Sequence, residues 1–361
     1  MRDDALNAVT RSAPRDSSLE LFRIVVMLLI VAHHYFVNSP LLDIVHAHDR
    51  VASINDVFLL FFGAWGKVGI NCFVLITGYF MSERQITFEK FFKLYSEVVF
   101  YGLVCNAIFV LSAYANFSWQ MVIDSLFPFR GVSSNFVAAY LIFYLLIPFL
   151  NRTLSGLSRK MHFLLVALLL GVYSVSSVFR GYRVNIDYVE WFCVVYIVGA
   201  YLRMHPHPLM KNQKCVSVSL FGALILSGVS IYCFQYLIPD GFMYFLLSDS
   251  NKPLALAVSV LAFLFFRNLH LGYSRLINTV AATTFGILLI HANSGVMRQW
   301  LWRDACKVEM AYECFGFPLI ATVSVLLVFV SCALIDTCRH FFVERLFFNL
   351  WWTAMSSYIR K

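Results

Sequence analysis

The sequence predicts an all-α protein, a polytopic membrane helix bundle of about ten transmembrane helices with both termini in the cytoplasm. Composition is the first indication: 60% of the 361 residues are hydrophobic and 13% are charged, whereas a soluble domain carries about 25% charged residues. The mean hydropathy is +0.74. The length of the apolar runs and the distribution of Lys and Arg are the other two indications.

Ten apolar runs have the length that a helix needs to cross the hydrocarbon core, about 17 to 25 residues. They lie at 18–38, 57–80, 91–114, 134–150, 161–179, 188–203, 215–237, 253–267, 277–293 and 317–338. The loops between them are too short to form a separate soluble domain. We therefore expect one membrane domain at 18–345, between cytoplasmic tails at 1–17 and 346–361.

The orientation follows from the basic residues, since cytoplasmic loops are enriched in Lys and Arg. Eighteen of the 28 Lys and Arg lie on the side of the two termini and eight on the opposite side, while Arg23 and Lys67 lie within runs. This asymmetry predicts that both termini are cytoplasmic. The net charge of +8 is then a product of the cytoplasmic loops, and it indicates contact with anionic membrane lipids and no nucleic acid partner.

The first apolar run contains Arg23 and His34. Ionisable residues inside a span are rare and usually functional, because burying a charge in hydrocarbon is costly. On a helix of about 100° and 1.5 Å per residue, their offset places the two side chains within roughly 20° of one face and about 16 Å apart along the axis. His33 points about 100° away from His34 and is the weaker candidate.

The second and third runs add polar groups. Thr77 and Gly78 are residues of the kind that mediate close helix packing in membranes, and Lys67 is expected to extend toward the interface. Lys90 and Lys93 lie one helical turn apart at the cytoplasmic start of the third run. Such a pair suits a phosphate-rich ligand, and it also suits ordinary anchoring at the membrane surface.

The ninth run ends with His291 and Asn293, followed by Arg298. His291 fits either an interfacial histidine or a member of a site. His34 and His291 are both expected in the outer half of the bundle, whereas the basic residues of the first and third runs lie in the inner half. This division suggests an anionic donor that enters from the cytoplasm and a hydroxyl acceptor that is activated deeper or outside.

No metal site is expected from the sequence. The nine Cys are scattered without a CxxC pair, and no His or Cys spacing is typical of metal ligands. Most of the Cys lie within apolar runs, where they are expected to act as small apolar residues.

Stretches along nearly the whole chain resemble the acyltransferase-3 family of integral membrane acyltransferases, especially its bacterial surface polysaccharide O-acetyltransferases. The first run has the family's acidic residue, Leu and Arg in Glu20-Leu21-Phe22-Arg23, with His34 eleven positions after the Arg. Phe73 and Thr77-Gly78-Tyr79 are similar to the second-span pattern, with Thr in place of Ser. The resemblance continues at 139–151, 196–203, 289–302 and 336–339, and the family's basic cluster is reduced to Lys90 and Lys93.

The resemblance implies a multi-pass enzyme of the bacterial cytoplasmic (inner) membrane. It implies an acyltransferase that transfers groups other than amino-acyl groups, and specifically an O-acetyltransferase. In the expected reaction, an acyl group is transferred from acyl-CoA to a sugar hydroxyl of a surface polysaccharide or of its lipid-linked precursor. The expected acyl group is acetyl. Acetyl-CoA is the expected co-substrate, without a metal.

A hydroxyl that attacks a thioester needs a base that titrates near neutral pH, and histidine is the side chain that does so. His34 is therefore the candidate base, and Arg23, held by Glu20 one turn away, would bind donor phosphate or stabilise an oxyanion. The other candidates are Lys90, Lys93 and Thr77 for the donor, and His291, Asn293 and Arg298 for the acceptor.

Two other functions fit part of the pattern. An exporter of a polysaccharide or a lipid-linked glycan intermediate would also need intramembrane charge, but it would not depend on acyl-CoA. A structural or sensory membrane protein would use the same charges for packing alone. The acceptor sugar, the size of the acyl group and the oligomeric state are left open.

Overall fold

A computed structural model describes residues 17–47, 53–179, 181–182, 184–238 and 243–348, and the side chains of this last range as far as Glu344. Every regular element in these ranges is helical, which confirms the all-α class. The expected tails at 1–17 and 346–361 lie almost wholly outside the described residues, so their boundaries stay predictions.

The helices are α1 (Ser17–Val37), α2 (Leu41–Ala47), α3 (Ile54–Phe62), α4 (Gly66–Met81), α5 (Phe88–Leu111), α6 (Trp119–Leu126), α7 (Phe136–Ser155), α8 (Arg159–Leu170), α9 (Tyr188–Met204), α10 (Pro208–Lys211), α11 (Gln213–Tyr232), α12 (Pro253–Arg267), α13 (Arg275–Ala282), α14 (Thr284–His291), α15 (Gly295–Gln299), α16 (Val308–Tyr312) and α17 (Phe317–Arg339). Short π-helical or 3₁₀ turns extend α8, α11, α15 and α17.

Each of the ten predicted runs coincides with helix. Among the described residues, seven helical segments are long and apolar enough to cross a membrane, and the bent pair Arg275–His291 and Gly295–Ala305 would make an eighth. The runs at 188–203 and 253–267 form α9 and α12, helices of 17 and 15 residues. The chain is thus a multi-pass membrane protein, while ten crossings and the orientation stay predictions.

Helix α1 lies at the centre of the bundle and packs against α4, α12, α13 and α17. Its apolar side chains fill the core, with Val26, Met27, Val31 and Tyr35 at most 1% exposed. Polar positions on α1 that face this packed surface must therefore be partnered or line a cavity. This central place brings residues of the first run close to residues of the ninth.

Helices α4 and α9 approach each other closely through two glycines. A Cβ added at Gly78 would lie 2.6 Å from the carbonyl oxygen of Tyr196, and one added at Gly199 would lie 2.8 Å from the carbonyl oxygen of Leu75. The two backbones approach this closely because both residues are glycine. The expected packing role of Gly78 is confirmed, since α4 and α9 touch backbone to backbone at this position.

Candidate active site

His34 and His291 contact each other across the α1–α14 interface. Nδ1 of His34 is 2.9 Å from Nε2 of His291, and Nδ1 of His291 is 2.6 Å from the carbonyl oxygen of Ile287, one turn earlier in α14. His291 is fully buried and His34 is half-buried. The two imidazoles are thus linked in a chain, in which His34 contacts His291 and His291 contacts the backbone of α14.

The hydrogen bonds determine which ring nitrogens carry protons when both imidazoles are neutral. The Ile287 carbonyl only accepts, so Nδ1 of His291 donates to it and Nε2 of His291 is left as an acceptor. Nδ1 of His34 then donates to that nitrogen. Nε2 of His34 is the unprotonated nitrogen, and it has no hydrogen-bond partner among the described residues. It is available as a base.

His33 has a different environment from His34. Its Nδ1 is 2.5 Å from the carbonyl oxygen of Gly63, in the turn between α3 and α4. The His33 ring also lies against Gly66, where an added Cβ would be 2.1 Å from Cδ2 of the ring. His33 therefore anchors the break before α4, beside the site.

The chain bends by 95° directly after His291, between α14 and the helical segment Gly295–Ala305. Asn293 donates to the carbonyl oxygen of Leu289 at 3.0 Å and so satisfies one acceptor at the end of α14. Ser294 caps the next helix by accepting from the amide of Met297. The bend places Asn293 and Ser294 in the wall of a cavity.

This cavity has a volume of about 980 Å³ and lies beside His34. It is bounded by the end of α1, the start of α4, the second half of α5, α6, the start of α7 and the α14–α15 bend. Its polar lining consists of His33, His34, Asn38, Lys67, Asn106, Asp124, Ser125, Arg130, Ser134, Asn135, Tyr188, Asn293, Ser294 and Arg298. A mixed polar and apolar cavity of this size can hold a sugar together with the end of an acyl donor.

The sequence did not single out several of these polar residues as site members. Asn106, Asp124 and Arg130 come from segments without any motif, and only the tertiary structure brings them to His34. Lys67 was expected at the interface, and instead it lines the cavity, where Nζ donates to the Tyr188 hydroxyl at 2.8 Å. The position of the Lys67 cation inside an apolar run was the one feature of the sequence that could have indicated a site role for it.

Asp124 lies on α6, outside the candidate spans. Hydrogen bonds from Arg130 at 2.8 Å and from Gln120 at 2.7 Å hold the pKa of its carboxyl below the usual value. The group is therefore ionised at neutral pH, and it partly offsets the positive charge of Arg130.

Arg23 is remote from the histidine pair. Its Nη1 is 3.2 Å from the Glu20 carboxylate, as expected for residues one turn apart, and Arg23 is not among the cavity-lining residues. The Thr77 hydroxyl donates to the Phe73 carbonyl at 2.9 Å and accepts from the Tyr140 hydroxyl at 3.0 Å. The end of α1 and the start of α4 line the cavity. Arg23, early in α1, and Thr77, late in α4, therefore both lie between the cavity and the opposite end of the bundle.

Lys90 and Lys93 lie at that opposite end, at the start of α5. Nζ of Lys90 is exposed and donates to the Gln85 carbonyl at 3.3 Å. Lys93 forms an ion pair with Glu344, which also accepts from Arg339 at 3.5 Å. The charge of Lys93 is thus partly balanced within the protein, and Lys90 is the more available of the two ammonium groups.

Within the described part of the chain, no group of three or more His, Cys, Asp or Glu is arranged to hold a metal ion. Not all of the residues predicted to bind the acyl acceptor line the cavity. Asn293 and Arg298 line it, whereas His291 stands behind His34 and uses both ring nitrogens inside the protein.

In a comparison with known protein families, a family model described as an acyltransferase domain, Acyl_transf_3, matches residues 16–337. The matched range includes every candidate residue named above. No curated protein and no solved structure matches the chain.

Proposed function

Since the chain belongs to the acyltransferase-3 family and is a membrane acyltransferase, we propose that it transfers an acetyl group from acetyl-CoA to a sugar hydroxyl. The acceptor is a surface polysaccharide or its lipid-linked precursor at the bacterial cytoplasmic membrane. The observation that carries this proposal is the His34–His291 pair beside the cavity. The pair presents an unprotonated ring nitrogen, Nε2 of His34, to the cavity as a general base.

In the direct reaction, Nε2 of His34 takes the proton from the acceptor hydroxyl while the hydroxyl oxygen attacks the thioester carbonyl. The tetrahedral intermediate then breaks its C–S bond, and the leaving CoA sulfur takes up the proton from His34. His291 acts as a positioning residue, because it fixes the tautomer and ring orientation of His34, as an acceptor behind a catalytic histidine does in other acyl transfer enzymes. It also accepts the hydrogen bond that stabilises the protonated ring.

The two ends of the bundle support a division between donor and acceptor. Lys90 and Lys93, with Arg23 and Thr77 deeper in the bundle, would hold the phosphates and pantetheine of acyl-CoA from the cytoplasmic side. The cavity at the other end of α1 would hold the acceptor, with Asn293 and Arg298 in its wall. The acyl carbon would meet the hydroxyl at His34.

Mass spectrometry of surface glycans tests this function. Cells with the intact gene, a deletion, His34→Ala, or His46→Ala are compared at equal protein level in the membrane. His46 is an exposed histidine on α2, and His46→Ala is the matched control. We expect one acyl mass per repeat with the intact gene and the control, and its loss in the deletion and in His34→Ala.

Two outcomes contradict the proposal. Normal acylation in a well-inserted His34→Ala protein would show that His34 is not the base. Unchanged acylation in the deletion, with less glycan outside and more retained inside, would favour an exporter of the glycan or its lipid-linked intermediate.

A further inference from the structure

The ionisable residues that line the cavity are unbalanced in charge. Lys67, Arg130 and Arg298 are cations, and Asp124 is the one carboxylate among the lining residues that the structure describes. The lining residues therefore have a formal charge of +2 when the histidines are neutral, and Asp249, outside the lining, offsets part of the charge of Lys67. A polar cavity built only for a neutral sugar has no need of this excess.

Two of the three cations already have protein partners. Lys67 donates to Tyr188 and lies 3.8 Å from the carboxylate of Asp249. Arg130 pairs with Asp124 at 2.8 Å. Their charges help to set the potential of the cavity, but their hydrogen-bonding groups are largely occupied.

Arg298 differs from both of them. Its side chain is half-buried, and its Nε is a buried donor with no hydrogen-bond partner among the described residues. A guanidinium stays charged at any pH that the protein meets, and leaving a buried donor unsatisfied is unfavourable. Arg298 is thus a cation held in the wall of the cavity and ready for an anionic partner.

The position of Arg298 places such an anion beside the base. Arg298 and His34 both line the first cavity. Arg298 also stands at a junction, because a second cavity of about 390 Å³ shares Asn38 and Arg298 with the first. The second cavity contains a further cation, Arg303, together with Asp43 and Trp302. An extended acceptor can therefore pass Arg298 with its charged group while one hydroxyl reaches His34.

We infer that the acceptor carries an oxyanion, a carboxylate or a phosphate, which Arg298 binds at the junction of the two cavities. This inference rests on the proposed function for the identity of the cavity as the acceptor site. A sugar acid would supply the carboxylate, and a lipid-linked sugar would supply the phosphate. The guanidinium fork binds either group through paired N–H donors.

Ligand-induced stabilisation of the purified full chain tests the anion site without requiring turnover. The probes are sodium glucuronate, sodium pyrophosphate and glucose at matched ionic strength, and the variants are Arg298→Gln, Arg298→Lys and Arg152→Gln. Arg152 is exposed on α7 at the other end of the bundle. The Tm of each variant without ligand shows whether it is folded.

We expect one or both anions, but not glucose, to raise the Tm of the wild type and of Arg152→Gln. Arg298→Gln should lose this shift, and Arg298→Lys should keep part of it. A shift with glucuronate indicates the sugar carboxylate, and a shift with pyrophosphate alone indicates the phosphate of a carrier. Equal shifts with glucose and with both anions, or an anion shift that persists in Arg298→Gln, would overturn the inference.

Steady-state kinetics then show whether the anion that Arg298 binds belongs to the acyl acceptor or to the acyl donor. With an anionic acceptor, Arg298→Gln should raise the acceptor KM about tenfold or more, the loss expected for one hydrogen-bonded charge pair, without raising the acyl-CoA KM. The reverse result would place Arg298 in the donor site and overturn the inference. An anion-dependent Tm without His34-dependent acyl transfer would contradict the proposed function alone.

Discussion

His34 and His291 are separated by 257 positions in the chain, yet their rings are within hydrogen-bond distance. The eleven-residue offset of Arg23 and His34 identified His34 as a candidate, but nothing in the sequence pairs it with His291. His291 was predicted to orient the acceptor. Its full burial and its two internal hydrogen bonds favour a role in positioning His34.

Replacing His291 by Phe should lower kcat because Nδ1 of His34 loses its acceptor. We expect a fall of about tenfold to a hundredfold, less than the roughly 10²- to 10⁴-fold that a general base contributes. His291→Gln retains a carbonyl oxygen and should keep more activity than His291→Phe. Steady-state kinetics with purified protein measure both changes.

The positioning role predicts that the KM for the acceptor stays near its wild-type value in both His291 variants. A large rise in acceptor KM with little change in kcat would instead show that His291 binds the acceptor directly. The Tm of each variant controls for loss of folding, since His291 is buried.

At the scale of the elements, helix existence followed from the apolar runs, but the breaks that make the site did not. The 277–293 run is divided into α13 and α14 and then bends by 95° after His291. At the bend, the side chains of Asn293 and Ser294 form hydrogen bonds with backbone groups that the broken helix leaves without helical partners. The polar residues at the end of this apolar run were the signal in the sequence that the helix breaks there, but such residues do not determine the angle of the bend.

Substituting alanine for Gly78, in the α4–α9 contact, should destabilise the protein, whereas the same substitution at Gly222, outside that contact, should not. Gly78→Ala adds a Cβ 2.6 Å from a backbone carbonyl oxygen, and relieving this overlap should cost about 1–3 kcal/mol. Gly222→Ala, on exposed α11, meets nothing within 4 Å and should leave the protein equally stable or stabilise it by up to about 1 kcal/mol.

Thermal unfolding of the two variants in one detergent measures the contrast. A Tm for Gly78→Ala equal to that of the wild type would show that α4 and α9 can separate slightly without loss. Because α4 also carries Lys67 and Thr77, activity measured beside the Tm would show whether such a shift reaches the site.

At the scale of the whole molecule, the candidate residues occupy two ends and a region between them. The cavity lies at one end of α1, and Lys90 and Lys93 lie at the other end of the bundle, at the start of α5. Arg23 and Thr77 lie between these ends. If acyl-CoA binds at Lys90 and Lys93 as proposed, its acyl group has to reach about one helix length into the bundle to meet His34.

The arrangement predicts that Lys90→Ala combined with Lys93→Ala raises the KM for acyl-CoA several-fold, without changing the KM for the acceptor. The effect should shrink at high salt, because exposed charges are screened. Kinetics at two salt concentrations measure it. Lys211→Ala, which removes an exposed lysine from α10, is the control, and an unchanged acyl-CoA KM in the double variant would exclude the phosphate role.

The sequence alone determined the membrane class, the positions of the helices and the residues that chemistry makes unusual inside a span. Hydrophobic length and burial cost act locally along the chain, so they can be read from it. The tertiary structure decided which polar residues meet. Packing of α1 against α14 joins His34 to His291, and the surrounding helices bring Lys67, Arg130 and Arg298 to one cavity. Such contacts depend on helix tilt, bends and interhelical approach, which no single run specifies.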